Sequence, residues 1–165
     1  MKTIALVGFM GSGKTTTGKA LAKKLGVQFL DTDQMIEAHT NMSIPQLFNH
    51  YGEGYFRELE SDIILNYDFN DVIVATGGGI VKREANCEGL KKRFDTVFLQ
   101  TEFNTILKRL ESDASRPLWQ QSNKEREELF NTRQQLYLDV SSMIVKTDEL
   151  TTDEIVQDIL SQLNL

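Results

Sequence analysis

The chain has 165 residues, 40% of them hydrophobic and 25% charged, a balance that suits one folded domain with a sizeable core and rules against intrinsic disorder. Its net charge of −6 excludes the broad basic footprint that neutralises nucleic-acid phosphates, so no nucleic-acid partner is expected and any cations that meet an anion must be gathered locally. A single cysteine, Cys87, excludes an internal disulfide or a multi-cysteine metal site and suits a reducing, cytoplasmic setting.

Residues 3–7 read as a buried first strand. Lys2 followed by Ile4-Ala5-Leu6-Val7 has the look of a signal-peptide start, but the apolar run stops at Gly8 and Lys14 puts a charge where such a run should continue. No stretch approaches the length of a membrane span, and no membrane partner is expected. Gly8-Phe9-Met10-Gly11-Ser12-Gly13-Lys14-Thr15 matches G-x-x-x-x-G-K-[ST] at every fixed position, after a strand and at the opening of a helix. Glycines there let backbone N–H groups turn inward around phosphate oxygens, and the helix dipole favours the anion. Lys14 brings charge to the β/γ-phosphates of a nucleotide, and the Thr15 hydroxyl is a Mg²⁺ ligand of the right kind. A glycine-rich turn with a solvated lysine is the bland alternative.

Leu21, Ala22 and Leu25 form the apolar stripe of the first helix, with Gly26 as its C-terminal stop. A strand at 28–30 follows, then Asp31-Thr32-Asp33. Two carboxylates one residue apart at a strand end suit a pair of tasks, holding a metal directly or through water and accepting the proton of an attacking hydroxyl. Capping of the following helix is the competing reading for this pair. Ser43 and Gln46 read as a capping box with Pro45 in the first turn. On the next apolar stripe, Phe56, Leu59, Ile63 and Ile64, lies Glu60, with Arg57 placed to pair with it at i,i+3.

The strand at 72–75 runs directly into Gly77-Gly78-Gly79, where a close approach of ligand to backbone or a plain tight turn would each account for three glycines. A fourth strand is expected at 96–99. Residues 112–123 are polar, carry Arg116-Pro117-Leu118 and Trp119, and are long for a connection, so a lid is expected there with Arg116 closing over the transferring phosphate. In the following helix Arg133 sits at i+4 from Leu129 on a stripe completed by Leu136 and Tyr137, and the matching turns hold no acid. A ligand carboxylate would satisfy its fork, as would a distant acid. The last strand is expected at 143–145. Val145-Lys146-Thr147-Asp148 comes near the guanine-reading Asn-Lys-x-Asp motif, but valine replaces the asparagine and no Asp-x-x-Gly follows the third strand. Thr151 and Glu154 form a second capping box before the stripe Ile155, Ile159, Leu160 and Leu163. His39 and His50 fall outside metal-ligand spacing and read as surface residues.

Short apolar runs alternating with helical patterns predict α/β architecture with a parallel sheet. In this order, the P-loop, Asp31-x-Asp33, Phe56-Arg57-x-x-Glu60, the triple glycine, Arg116-Pro117-Leu118 and Arg133-x-x-x-Tyr137 resemble shikimate kinase, a family of the nucleoside-monophosphate-kinase-like fold. The resemblance spans nearly the whole chain. It implies a three-layer sandwich whose five parallel strands run in the order 2-3-1-4-5, in a single domain over 1–165, with a substrate-binding helical segment at about 33–62 and the lid at about 112–123. It implies ATP and shikimate as substrates, one Mg²⁺ per site, and a cytoplasmic monomer; a sugar-acid kinase such as gluconate kinase is the nearest alternative, and a nucleotide-dependent switch a more distant one. Carried over by residue, Lys14, Asp33 and Arg116 are the catalytic groups. Gly11, Ser12, Gly13, Lys14, Thr15, Thr16, Arg109 and Arg116 meet the nucleotide, with Arg109 against adenine. Asp33, Phe48, Phe56, Arg57, Gly78, Gly79 and Arg133 meet the acid. Thr15 and Asp31 serve the metal, Asp31 standing in for the aspartate that does not follow the third strand.

Overall fold

The computed structural model describes residues 3–111 and 122–165. Strands β1 (Ile4–Val7), β2 (Gln28–Asp31), β3 (Val72–Ala75), β4 (Asp95–Gln100) and β5 (Met143–Lys146) form one sheet in the order β2-β3-β1-β4-β5. Every neighbouring pair is parallel. Each strand alternates its side chains between two faces. Ala5, Val7, Val72 and Val74 therefore enter one core, and Ile4, Leu6, Ile73 and Val97 the other.

Both faces are covered, which is why β1 and β3 read as continuous apolar runs. Helices α4 (Glu84–Arg93) and α6 (Asn123–Val140) close the first face through Leu90, Tyr137 and Val140. Helices α1 (Lys14–Leu25) and α7 (Thr152–Leu163) close the second through Leu21, Ala22, Ile155 and Ile159. A third, smaller core of Ile36, Leu47 and Phe56 lies between α2 (Thr32–Thr40) and α3 (Ile44–Asn66). Helix α5 (Phe103–Leu110) and a 3₁₀ turn (Ile80–Lys82) complete the described elements.

The two capping boxes read from the sequence are formed, Ser43 with Gln46 and Thr151 with Glu154. A third was missed: Ser122 and Glu125 cap α6, so Asn123 already belongs to that helix rather than to the lid. Each box satisfies two orphan N–H groups, worth ~1 kcal/mol per lost cap. Strand β2 reaches Asp31, one residue further than expected, because its ladder with β3 continues to the pair Asp31–Ala75. Helix α3 is continuous except at Gly52, whose φ of 79° and ψ of 172° break it into two halves. Residues 112–121, including Arg116, Pro117, Leu118 and Trp119, lie outside the described residues.

Candidate active site

The carboxyl ends of β1, β2 and β3 share one cavity of about 680 Å³, within the usual size of a small-molecule site. The loop from β1 to α1 forms one wall. Gly13 caps α1 in the left-handed region at φ 93°, where a Cβ would be strained. Lys14 folds back across the loop and donates to the carbonyls of Gly8 at 2.7 Å and Phe9 at 3.0 Å. Arg109, from the end of α5, donates to the Gly11 carbonyl at 3.0 Å and so sits at the loop rim. Gly11, Gly13, Lys14, Thr15, Thr16 and Arg109 all line the cavity. Ser12 does not: it is 1% exposed, and its amide donates to the Phe9 carbonyl at 3.1 Å.

The aspartate pair is resolved by geometry. Asp31 caps α2, its Oδ1 accepting from the amides of Asp33 at 2.9 Å and Gln34 at 3.2 Å. Its Oδ2 accepts the Thr15 hydroxyl at 3.1 Å. The capping duty thus belongs to Asp31, and Asp33 lines the cavity one residue into the helix. Thr32 between them is fully buried and accepts the Gly77 amide at 3.2 Å, while the Thr76 hydroxyl donates to the Leu6 carbonyl at 2.9 Å. These bonds stitch the three strand ends together and fix the wall on which the glycines stand.

Two more cations, Arg57 and Arg133, line the cavity. Arg57, 6% exposed, donates to the buried Glu60 carboxylate at 2.8 Å, the i,i+3 pair expected from the sequence. A second acid was not foreseen: Glu53 accepts Arg57 Nη2 at 3.1 Å and Nε at 3.3 Å. Burial pushes the Glu60 carboxyl above the usual carboxylate range, although Arg57 pulls it down. Arg133 is 2% exposed, and among the described residues its guanidinium meets no acid in a well-formed hydrogen bond, the Tyr137 hydroxyl being its near polar neighbour. Burial pushes its pKa below the guanidinium value, and Tyr137 and Glu60 offset only part of that. Its guanidinium lies 5.8 Å from the Phe9 ring centroid. The Tyr137 hydroxyl, held neutral by burial, donates to the Gly78 carbonyl.

The triple glycine has a packing cause as well as a ligand-facing one. A Cβ on Gly79 would lie 2.5 Å from Arg57 Cζ and Nη2, and one on Gly77 would lie 2.7 Å from Glu60 Oε2 and 3.0 Å from Asp33 Oδ1. Only hydrogen at these positions lets the ion pair close against the loop. Phe48 and Phe56 pack with ring centroids 5.1 Å apart and planes tilted by 43° along the same cavity. Met10, Glu37 and the Ser43-Ile44-Pro45 turn also line it and were not foreseen. For the Ser43 turn the only sequence signal was the capping box, which says where a helix begins and nothing about what it faces. His39 and His50 are exposed, as expected. Asp148, the aspartate of the near-match to a guanine motif, accepts the Glu102 amide at 2.9 Å and anchors the start of α5.

The chain resembles known proteins over nearly its whole length. A family model described as shikimate kinase matches residues 10–164. A shikimate kinase from Sulfurihydrogenibium sp. (strain YO3AOP1) is 41% identical over 99% of the chain and 98% of that protein. The structure of a shikimate kinase from Acinetobacter baumannii in complex with shikimate aligns with a TM-score of 0.95 at 36% identity, covering 99% of this chain and 93% of the other. The shikimate kinase of Aquifex aeolicus aligns with a TM-score of 0.87 at 35% identity, covering 98% and 96%. The chain belongs to the shikimate kinase family.

Proposed function

We propose that the chain transfers the γ-phosphoryl group of ATP to the 3-hydroxyl of shikimate, giving shikimate 3-phosphate and ADP in aromatic amino acid biosynthesis. One observation carries the reading: a phosphate-binding loop and a buried arginine that no acid pairs among the described residues line the same cavity. The first suits a nucleotide and the second a carboxylate. Arg57, Arg133 and the Gly78 backbone hold the acid, Gly79 leaves Arg57 room, and Phe48 with Phe56 forms an apolar wall against the ring. Asp33 binds the ring hydroxyls and takes the proton of the attacking one.

Lys14 leaves the loop carbonyls for the β/γ-phosphates, as the stronger acceptors. Amides of the loop through Thr16 cradle the phosphates, Arg109 flanks the adenine, and Arg116 adds charge from the segment outside the described residues. Mg²⁺ fits the donor set: Thr15 and Asp31 place hard oxygens side by side, and both Asp31 oxygens already accept protein hydrogen bonds, which favours contact through water. When bound, the ion neutralises charge on the phosphates. The protein's own contribution is alignment of hydroxyl and phosphate and exclusion of water. A cytoplasmic monomer is the proposed working form.

A coupled ADP-release assay tests the function. Shikimate is expected to stimulate turnover far more than gluconate or any nucleoside monophosphate. Asp33→Asn should keep the fold and lose ~10²- to 10⁴-fold in kcat. Equal turnover with another acceptor overturns the substrate, and an Asp33→Asn enzyme within a few-fold of wild type overturns the base.

A further inference from the structure

We infer that Glu53, anchored by Lys82, is a positioning residue that sets the Arg57 guanidinium for the acceptor's carboxylate. The inference rests on the proposed function above. An arginine has five N–H groups to donate. Arg57 spends Nε and one Nη2 hydrogen on Glu53 Oε1 and one Nη1 hydrogen on Glu60. Among the described residues that leaves one N–H on each terminal nitrogen, the number a carboxylate needs to bind in two places.

Glu60 alone would not fix this orientation, because one contact at Nη1 leaves the guanidinium free to turn about it. Glu53 supplies the second bearing. It does so from behind, since Arg57 and Glu60 line the cavity and Glu53 does not. Its own position comes from Lys82, whose ammonium donates to the same Oε1 at 2.7 Å. One oxygen thus accepts from three donors on two elements, α3 and the 3₁₀ turn after the glycines. Lys82 and Arg57 hold the Glu53 carboxyl below the usual carboxylate range, so it remains charged at neutral pH.

Local backbone supports the role. Glu53 lies between Gly52, where α3 breaks, and Gly54, around both of which there is open space. It therefore stands at the start of the second half of α3, the half that carries Phe56, Arg57 and Glu60. Lys82 ties that start to the wall holding Gly78. A half-exposed ion pair contributes little to global stability, so the residue types are better explained by orientation than by fold maintenance.

Steady-state kinetics of Glu53→Ala, Glu53→Gln and Lys82→Met, with melting temperatures of each, test the inference. The carboxylate contact is shared by ground and transition states, so its loss appears in KM. Glu53→Ala is expected to raise the shikimate KM about tenfold, with kcat and the ATP KM within about twofold. Glu53→Gln keeps an acceptor oxygen for Arg57 and should recover most of the loss, whereas Lys82→Met should raise the KM by about threefold. An unchanged shikimate KM in Glu53→Ala overturns the inference, as does a melting temperature that falls in step with activity and is not rescued by glutamine. An unchanged KM in Lys82→Met removes the anchor. Wild-type enzyme without shikimate turnover would instead remove the proposed function, so the two failures are distinct.

Discussion

Arg133 is the residue whose environment most demands a ligand. Its folded-state pKa is lowered by burial, so the folded chain holds that proton less firmly than the unfolded one, and the charge destabilises the empty protein at neutral pH. Arg133→Met keeps bulk and removes the charge. It is expected to hold or raise the melting temperature without shikimate. A charge-assisted bidentate contact is worth about 1.5–3 kcal/mol, so kcat/KM for shikimate should fall by roughly 10- to 150-fold. Arg133→Lys should rescue only in part, since it lacks the fork. A large fall in melting temperature with unaltered acceptor kinetics would mean that an internal acid is the true partner. The need was legible in the sequence because helical spacing alone showed no acid in the neighbouring turns. The division of labour between Asp31 and Asp33 was not, since either carboxylate can cap a helix and only coordinates tell which one does.

At the scale of elements, the glycine loop and α3 are fitted to each other. Gly79→Ala would push a methyl into the Arg57 guanidinium, at 2.5 Å from its Cζ. The side chain can yield, but only by giving up the orientation that Glu53 and Glu60 impose. The expected outcome is a higher shikimate KM, with the ATP KM near wild type. Gly54→Ala is the control, because nothing lies within 4 Å of a Cβ there and alanine favours helix by up to about 1 kcal/mol. Equal kinetics for Gly79→Ala and Gly54→Ala would show that the loop tolerates the methyl without moving Arg57. From the sequence the three glycines were open to a ligand or a turn, and the packing cause was invisible because its partners lie in another element.

For the whole molecule, an acidic chain of net charge −6 gathers Lys14, Arg57, Arg109 and Arg133 around a single cavity. The buried Arg133 makes that site costly while empty and is relieved by an anion, so ligand binding should feed directly into global stability. Shikimate at 100 times its Kd stabilises by about 2.7 kcal/mol, which for a chain of this size raises the melting temperature by roughly 5–11 °C. Differential scanning fluorimetry over a shikimate titration measures it. A flat response, with gluconate or a nucleoside monophosphate giving the shift instead, would assign the cavity to another acceptor.

The sequence by itself determined what depends on neighbours a few residues apart. The phosphate loop, the capping boxes at Ser43 and Thr151, the Arg57–Glu60 pair and an Arg133 with no acid in the neighbouring turns all follow from fixed offsets along a helix or turn, where short-range hydrogen bonding leaves little choice. The alternation of apolar runs with helical stripes announced the parallel sheet for the same reason. Tertiary structure alone decided which groups meet across long loops: Lys82 on Glu53, 29 residues away, Asp148 on the Glu102 amide, 46 residues away, and the Gly79 backbone against Arg57. No local pattern encodes such meetings, because they exist only once burial of two apolar faces has brought the strand ends together.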